Sequence, residues 1–187
     1  LVNDTVTRSY APDGRLLSLV RAFDESDFGG DLYLINATSF VENGQPLAAN
    51  GGLQGPAQSK ATGNDVRTIP GVSPGGRFSA AFPLWDGSNR IAVSWTQCRA
   101  LLAGQVRACT NDVLSDPAVL PAEPQYSIWM YDTVRNAFLP LMTPEVGRMI
   151  TDVVIAQPRA APVVILDKVP GVNIDADFVA SLESGLN

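Results

Sequence analysis

The sequence predicts an all-β chain built from a repeated turn-and-strand unit, and three observations carry that expectation. Gly (16) and Pro (14) are abundant among the 187 residues, a supply of turn formers that suits many short strands better than long helices. Apolar and polar residues alternate over short stretches such as NRIAVSW (89–95), the pattern of a half-buried strand. A Pro/Gly corner feeding an apolar run occurs twice, as APDGRLLSLV (11–20) and SPGGRFSAAF (73–82), which marks a duplicated supersecondary unit.

Taken in order, Pro12-Asp13-Gly14 is expected to form a turn, with proline presetting φ and glycine permitting a positive one. Leu16, Leu17, Leu19 and Val20 then read as a largely buried strand. The polar stretch DESDFGGD (24–31) reads as a hairpin loop, DLYLIN (31–36) as the next strand, and Ser39 to Gly44 as the start of an exit turn. Residues 45–64 show no periodicity and read as an extended loop insertion. After the second corner and the strand at 89–95, residues 96–125 hold both cysteines and the proline-rich DPAVLPAEPQ, and read as a second insertion. IWMYDTVRNAFLPL (128–141) predicts a strand, a turn at Asp132–Asn136 and another strand, and MITDVVI (149–155) one more. PVVILDKVPGV (162–172) reads as an apolar linker strand, followed by a short helix starting near Asp175.

Composition narrows the chemistry. The net charge is −6 and the 13 basic residues are scattered, so nucleic acid is not an expected partner. No run of 18 apolar residues is present, so no membrane span is expected. There is no histidine. Ser-His and Cys-His nucleophilic centres, Cys/His zinc sites and His-ligated haem therefore cannot be assembled from this chain. Cys98 and Cys109 are separated by ten residues, too far for a C-x-x-C pair. The favoured reading is a local disulfide worth about 3 kcal/mol in the loop-entropy model, two free thiols being the alternative.

Several motifs have a functional and a bland reading. Gly71-Val72-Ser73-Pro74-Gly75 matches the G-x-S-x-G nucleophile elbow, but the elbow needs a strand-to-helix corner and a histidine. Here a strand follows, and the motif reads as a turn. Asp24, Asp27 and Asp31, with Glu25, are calcium candidates by oxygen count, and a solvated hairpin loop explains them equally well. Glu42, Glu123, Glu145 and Glu183 are not paired by spacing for glycoside hydrolysis. Trp85 and Trp129 would stack on a sugar or anchor a partner if exposed. Together with Trp95, Tyr126 and Tyr131 they read more simply as strand core.

The openings APDGRLLSLVRAFDESDFGGDLYLIN (11–36) and SPGGRFSAAFPLWDGSNRIAVSW (73–95) resemble the TolB-type β-propeller repeat, in which a Ser-Pro-Asp-Gly turn leads into an apolar strand, a polar hairpin and a strand of the type DLYLID. The resemblance implies an all-β fold of propeller blades forming a partial propeller: 1–44 a first blade-like unit, 45–64 a loop insertion, 65–157 a second blade-like unit interrupted by the cysteine loop 96–125, and 158–187 a linker strand and the start of a following domain. The order of elements is also similar to exported bacterial proteins related to the hydrazine synthase alpha subunit, on the strength of IWMYDTVRNAFLPL and TDVVIAQPRAAPVVILDKVPGV. Some members of that family bind c-type haem. This chain has no C-x-x-C-H, and no catalytic residue, metal or cofactor is expected in it. The implied role is a non-catalytic scaffold or protein-interaction module of a larger exported bacterial protein, periplasmic or extracellular, whose parent is compatible with a lipid anchor. Its partner would be another protein or the remaining domains of the same polypeptide. The alternatives are the non-catalytic part of a multidomain redox enzyme with its haem centres elsewhere, and a carbohydrate-binding propeller.

Overall fold

The structure, a computed structural model, describes residues 3–22 and 29–158. Among these residues the strands form two four-stranded sheets, one three-stranded sheet and one two-stranded ribbon. The first large sheet comprises β1 (Asn3–Tyr10), β2 (Leu16–Ala22), β3 (Asp31–Ile35) and, after the ribbon of β4 (Phe40–Glu42) and β5 (Gln45–Pro46), β6 (Gln58–Lys60). Its neighbours follow chain order and every pair is antiparallel. The corner before β2 closes as read. The amide of Gly14, at φ 84°, donates to the Ala11 carbonyl at 2.9 Å, and that of Arg15 to Asp13 Oδ1 at 3.1 Å. A side chain in place of Gly14's hydrogen would strain that conformation.

The second large sheet runs β7 (Arg77–Pro83), β8 (Arg90–Thr96), β12 (Ser127–Asp132) and β13 (Ala137–Pro140), again in chain order and antiparallel. The turn at Asp132–Asn136 forms because Asp132 Oδ1 accepts the amides of Val134 and Arg135, at 3.0 and 2.9 Å, while Asn136 takes φ 50°. The two sheets share one core. Leu17, Leu19 and Leu32 from the first meet Phe78, Ile91, Val93, Trp129 and Tyr131 from the second. They are also stitched through the backbone, where Gly30 and Phe78 exchange hydrogen bonds of 2.7 and 2.8 Å. Gly30 has no substitute there, because a Cβ would overlap the Val20 carbonyl.

Three expectations need adjustment. The two matched corners both lead into strands, but β2 lies second in its sheet and β7 at an edge. The residues before β7 make no ladder. Pro70 has no amide to give, the Ser73 hydroxyl accepts the Arg67 amide at 2.8 Å, and Arg77 Nη2 donates to the Ile69 and Gly71 carbonyls. Residues 45–64 are not only loop, since β6 lies among them and pairs with β3; all three of its side chains are exposed, so no hydrophobic alternation announced it. Residues 149–155 form no strand ladder. Instead the carbonyls of Ile150 and Thr151 accept hydrogen bonds from the buried hydroxyls of Ser94 and Ser79, the latter at 3.1 Å. The expectations for 159–187 lie outside the described residues.

Candidate functional site

The segment read as a cysteine loop folds as a small sheet with its own core. β9 (Arg99–Leu102) and β10 (Gln105–Ala108) form a hairpin, a single helical turn α1 (Asn111–Leu114) follows, and β11 (Leu120–Pro121) returns to pair on the other side of β9. Ala103 and Gly104 at the hairpin tip both take positive φ, 51° and 73°, as the two-residue turn of a tight hairpin requires. At the open end, where Arg99 pairs with Ala108, Cys98 and Cys109 are joined in a disulfide with their Cα atoms 5.9 Å apart. Both half-buried sulfur-bearing residues pack with Val72, Ala100 and Val113. Covalent closure and an apolar base together hold this tongue in one conformation.

Register decides what the tongue presents. Leu101 stands directly opposite Val106 on one side and Leu120 on the other, so the three form a cross-strand row on one face. The alternate residues, Ala100 and Leu102, turn to the base. Val106 and Leu120 are 52% and 58% exposed, which leaves an apolar stripe facing solvent on a rigid support. Beneath the tongue lies a cavity of about 50 Å³ bordered by Ser73, Arg77, Thr96 and Tyr126. That is room for one or two waters.

The other predicted residues fall into distinct environments. Trp85 is 55% exposed in the β7–β8 turn, its amide donating to Gln157 Oε1 at 2.7 Å. Trp129 is 7% exposed, inside an aromatic cluster with Trp95, Tyr131 and Phe138, its ring edge-on to Trp95 at 5.2 Å. It is core, and of the two only Trp85 lies on a surface. The Ser73 hydroxyl is spent within its turn, donating to the Gly76 carbonyl at 2.6 Å.

Asp24 and Asp27 lie outside the described residues. Asp31 is 1% exposed and is committed to Lys60, whose Nζ lies 3.0 Å away, and to the Leu32 amide at 2.9 Å. Burial pushes the Asp31 carboxyl above its ordinary value, and the lysine's hydrogen bond and charge offset this only in part. For Lys60 burial pulls downward, but the Asp31 hydrogen bond and charge outweigh it and the ammonium is raised. Sequence reasoning missed this pair, because Lys60 sits in a polar stretch that carries no periodic signal. It missed the Val106–Leu101–Leu120 row as well, for which the Ala103-Gly104 hairpin tip was the available cue.

The chain matches no family model, no curated protein and no solved structure. Fold and site define a class: an all-β protein of antiparallel sheets carrying one disulfide-closed tongue.

Proposed function

We propose that the chain is a non-catalytic scaffold and protein-interaction module of a larger exported protein, with its two four-stranded sheets serving as neighbouring β-propeller blades. The observation that carries this is the pairing of two antiparallel meanders in simple chain order over one shared core, the arrangement from which propellers are built. A ring takes at least about four blades, so the others would come from the parent polypeptide or a partner. The tongue is the contact surface, its stripe of Val106, Leu101 and Leu120 supplying apolar area and its disulfide the rigidity. A periplasmic or extracellular location fits that disulfide, since such bonds persist in oxidising compartments.

Residue-resolved cross-linking of the tagged parent protein in a cell-envelope extract tests this directly. Cross-links should concentrate on residues 99–121 and disappear in the double variant Val106→Asp, Leu120→Asp, with the melting temperature unchanged. An undiminished cross-link pattern in that variant overturns the assignment. Carbohydrate binding is a second reading, favoured by the exposure of Trp85. Glycan-array signal lost on Trp85→Ala supports it, and a silent array removes it.

A further inference from the structure

An open hollow of about 570 Å³ lies where the second large sheet meets the base of the tongue. Its apolar wall comes from Trp95 of β8 and Phe138 of β13, half-buried rings stacked with their centroids 4.1 Å apart. Trp95 is pinned, because its Nε1 donates to the Gly75 carbonyl at 3.0 Å. That bond uses the one polar group of the indole, so the wall offers carbon alone.

The polar lining is oriented and unspent. Asn136, exposed and at φ 50°, has its Oδ1 taken by the Tyr131 hydroxyl at 2.8 Å, and that hydroxyl in turn accepts the Gly63 amide at 3.1 Å. These bonds fix the carboxamide and leave both hydrogens of Nδ2 without a partner among the described residues. Gln97 and Asp65 also line the hollow, and their exposed side chains make no hydrogen bond or ion pair among the described residues. The charges of Lys60 and Asp31 reach Asp65, but those two are paired with each other at 3.0 Å. No lysine or arginine stands among the described lining residues.

A ligand that satisfies this lining accepts from the carboxamides of Asn136 and Gln97, donates to the Asp65 carboxylate and lays carbon against the ring wall. Neighbouring hydroxyls meet the first two demands together, since each both donates and accepts, and the C–H face of a sugar ring meets the third. An anion would face the Asp65 carboxylate with no lining cation to offset it. An ammonium ion would suit Asp65 but has no lone pair for the amide hydrogens. We propose that the hollow binds a neutral saccharide, its hydroxyls shared among Asp65, Gln97 and Asn136 and one ring against Trp95 and Phe138. The volume falls within the range of small-ligand sites, roughly 300–1,000 Å³, and accommodates a disaccharide. Neither Trp85 nor the tongue stripe borders the hollow, so the site stands or falls separately from both surfaces.

The test is a nuclear magnetic resonance titration of the nitrogen-15-labelled chain with cellobiose, maltose, diacetylchitobiose and, as a cation, choline. At least one of the disaccharides should give saturable shifts at the Trp95 indole and at the side-chain amides of Asn136 and Gln97, and choline should give none there. Asp65→Ala should weaken that disaccharide by about tenfold and Gln97→Ala by about threefold or more. Both side chains are exposed and unbonded among the described residues, so the fold tolerates their loss. Trp85→Ala should leave binding unchanged. No saturable shift with any disaccharide, saturation of these groups by choline, undiminished binding in Asp65→Ala or Gln97→Ala, or binding lost in Trp85→Ala would each overturn the proposal.

Discussion

Burial falls unequally on the two members of the Asp31–Lys60 pair, with the carboxylate 1% exposed and the ammonium side chain 42%. One contact therefore leaves both groups raised, for different reasons. A carboxyl held above its unfolded value binds its proton more tightly in the fold. Its contribution to stability is greatest below pH 3.8 and falls as the pH rises through the folded value. Lys60 contributes fully below pH 10.5, and that contribution is lost as the pH climbs through its raised value. Asp13 behaves in the ordinary way: the Arg15 hydrogen bond holds it low, so its contribution is present above pH 3.8 and lost in acid. Asp31→Asn should accordingly gain on the wild type between pH 2 and pH 6 in urea unfolding. Lys60→Met leaves the carboxylate buried with the Leu32 amide but without its cation, and should lower stability at pH 7 by about 2 kcal/mol. That is less than the 3–5 kcal/mol typical of a fully buried pair, because the lysine is half in solvent. Trp129→Ala, which opens a cavity in the aromatic cluster, should cost about 3–5 kcal/mol in the same measurement.

Strands that alternate or pack on the shared core were readable from sequence, as β2, β3, β7, β8, β12 and β13 demonstrate. Strands without a buried face were not. β6 exposes all three side chains and β10 all four, so both are held by backbone ladders that leave no trace in hydropathy. The site divides along the same line. Two nearby cysteines announced a bridge, whereas the apolar stripe exists only through the register that sets Leu101 between Val106 and Leu120. The Ala103-Gly104 tip sets the Leu101–Val106 half of that pairing, but nothing in residue order specifies the return of Leu120. Replacing both cysteines with serine should cost about 3 kcal/mol through the lost loop closure. The loss should show first as faster amide exchange at Ala100 and Leu102, with the large sheets still protected. At the junction of the large sheets, Gly30→Ala should break the pair with Phe78 and lower the melting temperature, since the added carbon meets backbone rather than a movable side chain.

At the level of the whole described unit, a single core spans both large sheets, so neither has an apolar interior of its own. Unfolding should then be one transition for both. Leu32→Ala, in the first sheet, should destabilise by about 2–5 kcal/mol and lower amide protection in β8 and β12 as much as in β2. Protection lost from the first sheet alone would contradict the shared core. The stretch that follows β13 is bound on different terms. Ser79 and Ser94 grip the carbonyls of Thr151 and Ile150, groups that every amino acid carries, so at these two residues the hold discriminates hardly at all between side chains, whereas Gln157 is held through its side-chain amide by the Trp85 amide and the Pro83 carbonyl. Residues 150 and 151 should accept wide substitution without detaching, whereas paired Ser79→Ala and Ser94→Ala changes should loosen the strap at 150 and 151 while Gln157 still anchors its far end. That freedom makes this strap a natural place to graft foreign sequence.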